Sequence, residues 1–395
     1  MKENIAVLST KVIQIGLVLL AFLVPIFFLP TTSEFYNFNK TILLVVGAFF
    51  LFFVWGIKMV AEERVRMTRT PLDIPLLIFL GVYILATIFS IDPIVSILGW
   101  HPVFFYSLPS VAALVIIYFL ATSHLDSAYR QAVFAAFALS ATVLAVLTIS
   151  YYFGHPLLSA TWAQVRFWTP AGDLHKLVSF LAIAIPLTIG FALSLKESVY
   201  KYFVYILAAL QIIAFALVNV LFAYIVLAVA ALAVVIFLPR LALKSEEKWF
   251  LGSLAALLII IAVLVNIKEL GNTTLKPIIA GKDTSISLTK PLKLPQSAAW
   301  QTSASALTVR PLFGSGPSTY AVLYPQFKPI EVNRINENNI WNVRFDDSGS
   351  GLLNILATTG AIGILAFLLV LIVLARSVVF TISPLTGIKI GRAHV

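Results

Sequence analysis

The chain has no cysteine and only five histidines in 395 residues. Without cysteine there is no disulfide framework, thiol nucleophile, thiolate zinc site or iron–sulfur cluster. The histidines are scattered, with no His-Glu-x-x-His spacing, so neither a metal nor any other cofactor is expected. Charge is also scarce: Asp, Glu, Lys and Arg make up 11% of the chain, against about 25% in soluble domains. Hydrophobic residues fill the space at 60%, and the mean hydropathy is +1.00. That composition belongs to an all-α polytopic membrane protein whose first partner is the lipid bilayer. The formal charge of +10 does not imply a nucleic-acid partner, because the basic residues lie at the ends of apolar runs rather than on one soluble face.

A helix needs about 17–25 apolar residues to cross the hydrocarbon core. Ten runs come near that length: Val12 to Pro30, Thr41 to Ile57, Ile74 to Ile91, Phe104 to Ala121, Ala132 to Tyr152, Leu177 to Leu195, Tyr202 to Val218, Val220 to Leu238, Trp249 to Ile267, and Leu352 to Ala375. The seventh and eighth form one stretch that is too long for a single crossing, and Asn219 at its middle suits the turn of a helical hairpin. The first run is too long for a signal peptide and no small-residue cleavage site follows it, so it stays as a span.

Orientation follows from the basic residues of the short loops. With the N-terminus cytoplasmic, the inner side holds Lys2, Lys11, Lys58, Arg64, Arg66, Arg69, Arg130, Lys196, Lys201, Arg240, Lys244, Lys248 and Arg376, whereas the outer short loops hold only Lys40, Arg166 and Lys176. The expected organisation is a membrane domain of nine spans over residues 1–267, then a large extracytoplasmic loop with short helices over 268–351, and a last span with the start of a continuation over 352–389. The closing Ile390-Gly391-Arg392-Ala393-His394-Val395 resembles a translated sequencing adapter, so ten spans are expected as a lower bound.

The polar residues gather in three outward segments. The segment Asp92 to Pro102 holds Trp100 and His101, which suit interfacial anchoring or a sugar ring. The loop Gly154 to Lys176 holds His155, Trp162, Arg166, Trp168, Asp173, His175 and Lys176; basic residues on an outer loop run against the positive-inside bias and hint at an anionic ligand. In the long segment, Ser297 to Val309 reads as a short helix with Trp300, Ala304 and Leu307 on one face, ended by Arg310 and Pro311. Gly314-Ser315-Gly316-Pro317-Ser318-Thr319-Tyr320 follows, a turn that can either hold phosphate on its N–H groups or be only a turn, with Ser318 as the expected cap of the next helix. Lys328 to Asp347 then brings Glu331, Arg334, Trp341, Arg344, Asp346 and Asp347, a mixture that suits a sugar-phosphate site or a solvated loop.

Pro311-Leu312-Phe313-Gly314-Ser315-Gly316-Pro317 and, after Leu353, Thr359-Gly360-Ala361-Ile362-Gly363 stand in the order of two family motifs. With Ser90 to Pro93, Ser96, Gly99, Arg166, Pro170 and Pro186, the layout resembles the O-antigen ligase and polymerase superfamily of membrane glycan transferases. The resemblance covers most of the chain. It departs at three places: the family's His-Asn falls on Gly349 and Ser350, no Arg stands near Asn219, and Gln296 replaces an Arg four residues before Trp300.

The resemblance implies transfer of a glycan from a polyprenyl-diphosphate carrier to an acceptor at the outer face of a bacterial inner membrane. The expected site has Asp347 or Asp346 as the base and Arg166, Arg310, Arg344, Gly314 and Gly316 around the diphosphate. Trp300, Trp341, His175 and Lys176 are expected on the rest of the substrate. Two other readings stay open. One is a lipid-linked saccharide flippase or transporter, which would need a polar path through nearly charge-free spans. The other is a non-catalytic relic, motivated by the three departures.

Overall fold

The computed structural model describes residues 2–32, 34–100, 104–164, 168–196, 198–218, 224, 226–228, 249, 252–253, 294–334 and 343–382. Among these, regular structure is helical: α1 Lys2–Ile26, α2 Asn37–Glu62, α3 Asp73–Ile88, α4 Pro93–Leu98, α5 Leu108–His124, α6 Ser127–Tyr152, α7 Leu174–Ser194, α8 Ser198–Val218, α9 Gln296–Val309, α10 Tyr320–Phe327, α11 Ile330–Arg334 and α12 Gly351–Ile382. Six are long and apolar enough to cross a bilayer, namely α1, α2, α6, α7, α8 and α12. The third and fourth expected spans form the shorter apolar helices α3 and α5. The expected Val220 to Leu238 and Trp249 to Ile267 spans, the Asn219 turn, most of the 268–351 loop before Leu294 and the 390–395 tail lie outside the described residues. Six candidate spans, rather than ten, are therefore what the described chain displays.

Apolar side chains on the outer faces of these helices stay uncovered. Phe53 of α2 is 67% exposed and Leu365 of α12 is 64% exposed, as suits helices facing lipid rather than water. Where helices meet, small residues allow close approach. A Cβ on Gly16 would lie 2.5 Å from Leu51 and one on Gly47 would lie 2.6 Å from Leu20, so these two glycines set the α1–α2 spacing. Leu144 of α6, Leu177, Leu181 and Ile185 of α7 and Phe215 of α8 share one core. Within it Gln211 Nε2 donates to Ala138 O and Thr142 Oγ1, each at 3.1 Å, and Thr188 Oγ1 donates to Gln211 Oε1 at 3.2 Å. The lone amide is a structural tie between α6, α7 and α8.

Helix starts follow their caps. Asp92 Oδ1 accepts from Val95 N at 3.1 Å ahead of Pro93, Asp126 Oδ1 from Tyr129 N at 2.9 Å, and Asp173 Oδ1 from Lys176 N at 2.8 Å. These caps fix where α4, α6 and α7 begin.

The last helix is broken. Gly360 has φ +69° inside α12, and the break strands carbonyls on one side and N–H groups on the other. The glycine-rich turn satisfies them. Ser315 N donates to Ala357 O at 3.1 Å and Gly316 N to Thr358 O at 2.8 Å, while Ala361 N donates to Pro311 O at 2.9 Å and Ile362 N to Leu312 O at 3.3 Å. From the other side, Ile91 N and Ser90 Oγ donate to Ser315 O at 2.9 and 3.1 Å, which binds the α3–α4 corner to the same turn. The approach is too close for side chains: a Cβ on Gly314 would sit 2.5 Å from the Thr358 carbonyl carbon, and one on Gly316 2.0 Å from Ser90 Oγ.

Two tests follow from this architecture. Gly360→Ala forces a side chain into a left-handed backbone, with its Cβ 2.4 Å from Leu312 O, and should cost about 2 kcal/mol or more. Gly190→Ala, on α7 with nothing within 4 Å, should be neutral or stabilise by up to about 1 kcal/mol, and unfolding in detergent compares the two. For orientation, a cysteine replacing exposed Thr308 should react with an impermeant reagent in intact cells, and one replacing exposed Arg66 should not.

Candidate functional site

One end of the bundle gathers the starts of α2, α5 and α7 with the approach to α12. There a cavity of about 560 Å³ is lined by Glu34, Asn37, Lys40, Tyr106, Lys176, Asp346 and Asp347, with apolar walls that include Val24, Leu44 and Leu114. Its volume falls within the usual range for small-molecule sites. The expected carboxylates thus share a cavity with two of the expected outer-loop cations, Lys40 and Lys176.

The wall is held by short-range bonds. Glu34 Oε2 accepts from Tyr36 N at 3.1 Å and Phe38 N at 2.7 Å, which covers N–H groups at the start of α2. Asn39 Nδ2 donates to Thr32 Oγ1, Glu34 O and Phe35 O, pinning the same loop. Lys40 Nζ donates to Pro25 O at 2.6 Å and so satisfies a carbonyl in the last turn of α1. Lys176 Nζ lies 3.1 Å from Asp173 Oδ2, one turn back on α7. Asp347 Oδ1 accepts from Gly349 N at 2.7 Å, and Phe345, packed in the core that holds Tyr324 and Leu353, fixes the segment just before the pair. Next to the Glu34 loop an aromatic cluster packs: Trp168 Nε1 donates to Tyr36 OH at 2.9 Å, and Phe28 and Trp162 pack edge-on.

Burial raises the Asp346 pKa above the usual carboxylate range; backbone hydrogen bonds and Lys176 oppose the rise, and Asp347 adds to it. A base with an elevated pKa holds a proton more firmly once it has taken one.

The remaining expected site residues fall elsewhere. Arg344 Nε donates to Ala321 O at 2.6 Å, and its guanidinium carbon lies 4.4 Å from the Trp100 ring centroid. Arg310 Nη1 donates to Phe89 O at 3.0 Å and ties α9 to the end of α3. Both arginines therefore bind backbone carbonyls and stitch segments together, and neither lines the cavity. The N–H groups of Ser315 and Gly316 are spent on carbonyls of α12, so the turn packs against the helix break. The α9 helix forms as expected, but its buried face is Ala299, Thr302, Ser303 and Ala306, and Trp300 is 59% exposed. Ser318 does not cap the following helix: Thr319 takes the position before Tyr320, and its Oγ1 bonds back to Ser315 Oγ and Gly316 O. His175 sits in the first turn of α7, next to Lys176. Arg166 and Trp341 lie outside the described residues.

No protein-family model and no curated protein matches this sequence. In the structure the Pro311–Pro317 and Thr359–Gly363 segments are hydrogen-bonded to each other through the α12 break.

Sequence reasoning did not single out Lys40, Glu34 or Tyr106. Lys40 carried the same signal as Lys176, a cation on a short outer loop, but stood one residue before an apolar run and read as its flank.

The raised Asp346 pKa has a measurable consequence. The unfolded chain releases this proton near pH 4 and the folded protein releases it higher, so stability falls as pH rises through that window. Asp346→Asn should therefore raise the thermal midpoint at pH 7, with little change near pH 4.

Proposed function

We propose that the protein transfers a glycan from a polyprenyl-diphosphate carrier to an acceptor hydroxyl at the outer face of a bacterial inner membrane. The observation that carries this reading is the shared cavity of Asp346, Asp347, Lys40 and Lys176 at one end of an apolar helix bundle. The residues provide both halves of the chemistry. A carboxylate, Asp347 or Asp346, takes the acceptor O–H proton as that oxygen forms a bond to the anomeric carbon of the donor sugar. The bond from that carbon to the diphosphate oxygen breaks, and the diphosphate leaves with the electron pair. Lysine ammonium groups in a partly dry cavity stabilise the charge that grows on it.

The cationic role moves from the arginines to the lysines in this reading. Arg310 and Arg344 hold the frame that presents the carboxylates. A transport reading has less support, because the buried polar groups at mid-helix are amides and hydroxyls such as Gln211, Thr142 and Thr188, already bonded to one another.

The test is transfer by purified protein in proteoliposomes, given a polyprenyl-diphosphate glycan and envelope acceptors, with release of the carrier followed over time. Loss of the proton acceptor should slow release by about a hundredfold or more in Asp347→Asn or Asp346→Asn. Full rates in both variants would remove the carboxylates from the mechanism, and no release by the unmodified protein would sink the transfer reading.

A further inference from the structure

The opposite end of the bundle carries a cavity of its own. It measures about 650 Å³ and lies where α1 begins and α2 ends, with Lys2, Glu3, Glu62, Glu63, Arg64 and Arg66 in its lining. It shares no residue with the carboxylate cavity, which borders the start of α2. The 26 residues of α2 rise about 39 Å, so the two cavities stand close to a bilayer's full thickness apart.

The charges of this cavity are not all matched within the protein. Lys2 pairs with Glu63, and Glu62 pairs with Lys58 at 3.8 Å, one turn back on α2. Glu3, Arg64 and Arg66 are exposed, and among the described residues none of the three has a salt bridge. Both arginines follow the left-handed residue that ends α2, Glu63 with φ +55°, in a segment without regular structure. The mouth is not wholly polar. Val7 lines the cavity and is 53% exposed, and Leu8 beside it on α1 is 64% exposed. On α2, Val60 is 78% exposed. The apolar outer faces of the two helices thus run up to the charged end.

We infer that this cavity binds the head group of an aminophospholipid, with the phosphodiester on Arg64 and Arg66, the primary ammonium on Glu3 and the acyl chains outside along α1 and α2. Unpaired cations and an unpaired carboxylate in one cavity complement a ligand that bears both signs. Guanidinium forks match phosphate oxygens. A primary ammonium offers three N–H donors to a carboxylate, whereas a quaternary choline offers none. Phosphatidylglycerol supplies the phosphodiester but leaves Glu3 without a partner. Soluble glycerophosphoethanolamine has the same charges as the lipid, but it lacks the chains that the apolar mouth would cover.

The test uses the purified protein, stripped of lipid in detergent, with bound lipid read by native mass spectrometry and affinity by titration. Phosphatidylethanolamine should be retained, and it should bind more tightly than phosphatidylcholine, phosphatidylglycerol or glycerophosphoethanolamine. Arg64→Gln with Arg66→Gln should weaken its binding about tenfold or more, and Arg64→Lys with Arg66→Lys should keep most of it. Glu3→Gln should lower the affinity for phosphatidylethanolamine to that for phosphatidylcholine and leave the latter unchanged, a selective loss that a structural role would not produce. A thermal unfolding transition for each variant verifies that it is folded. Equal affinity for the ethanolamine and choline lipids, or unchanged affinity in the arginine-to-glutamine pair, would overturn the site. Preference for phosphatidylglycerol would make the arginines a general anionic surface, and equal binding of glycerophosphoethanolamine would make the ligand soluble. Either result also overturns the aminophospholipid seat. The measurement needs no glycan and no acceptor, so its outcome is independent of the transfer assay.

Discussion

A helix broken inside an apolar segment has to satisfy its free backbone groups within the protein, and that requirement organises the described end of this chain. The break at Gly360 leaves the carbonyls of Ala357 and Thr358 and the N–H groups of Ala361 and Ile362 to be satisfied, and the Pro311 to Gly316 turn satisfies all four. Once the turn is fixed, α9 and α10 are fixed against the start of α12, and their side chains close a core around Tyr320, Tyr324 and Phe345. Phe345 immediately precedes the two aspartates. The position of the carboxylates is thus inherited, through one ring, from a set of backbone hydrogen bonds on the far side of the same core.

Local structure was readable because its causes are local. Apolar length located eight helices, and Pro311 marked the end of α9. The start of α1 was misread by ten residues, at Val12 rather than Lys2, because the charge of Lys11 closes the apolar run, with Ser9 and Thr10 just before it and Gln14 just inside it. Those residues are at home in the helix: Thr10 Oγ1 bonds back to Ala6 O, and Gln14 Nε2 reaches His124 O at 2.8 Å. A polar residue whose partner is more than a hundred positions away carries no local sign of it.

The same limit explains the site. Asp346, Asp347 and Lys176 could be proposed from residue type and side of the membrane, but nothing in the sequence says that the start of α2 meets the approach to α12. Arginine invited the diphosphate expectation for a physical reason. Its planar fork suits a diphosphate, and it suits backbone carbonyls and an aromatic face equally well, as Arg344 on Ala321 O and Trp100 demonstrates. Lysine offers a compact charge with fewer directional demands, so a lysine-built anion site tolerates several head-group geometries where an arginine fork would select one.

The lengths of α3 and α5 bear on the lipid itself. At 16 and 17 residues they rise about 24 and 26 Å, short of the roughly 30 Å hydrocarbon core. A span of that length is met by local thinning of the bilayer or by flanking side chains that reach to the interface, at a cost of a fraction of a kcal/mol for each ångström of mismatch. Because α5 supplies Leu114 to the cavity of Asp346 and Asp347, and Ile117 and Ala121 to an apolar cavity beside it, a bilayer thinned beside it would bring head groups toward both rims.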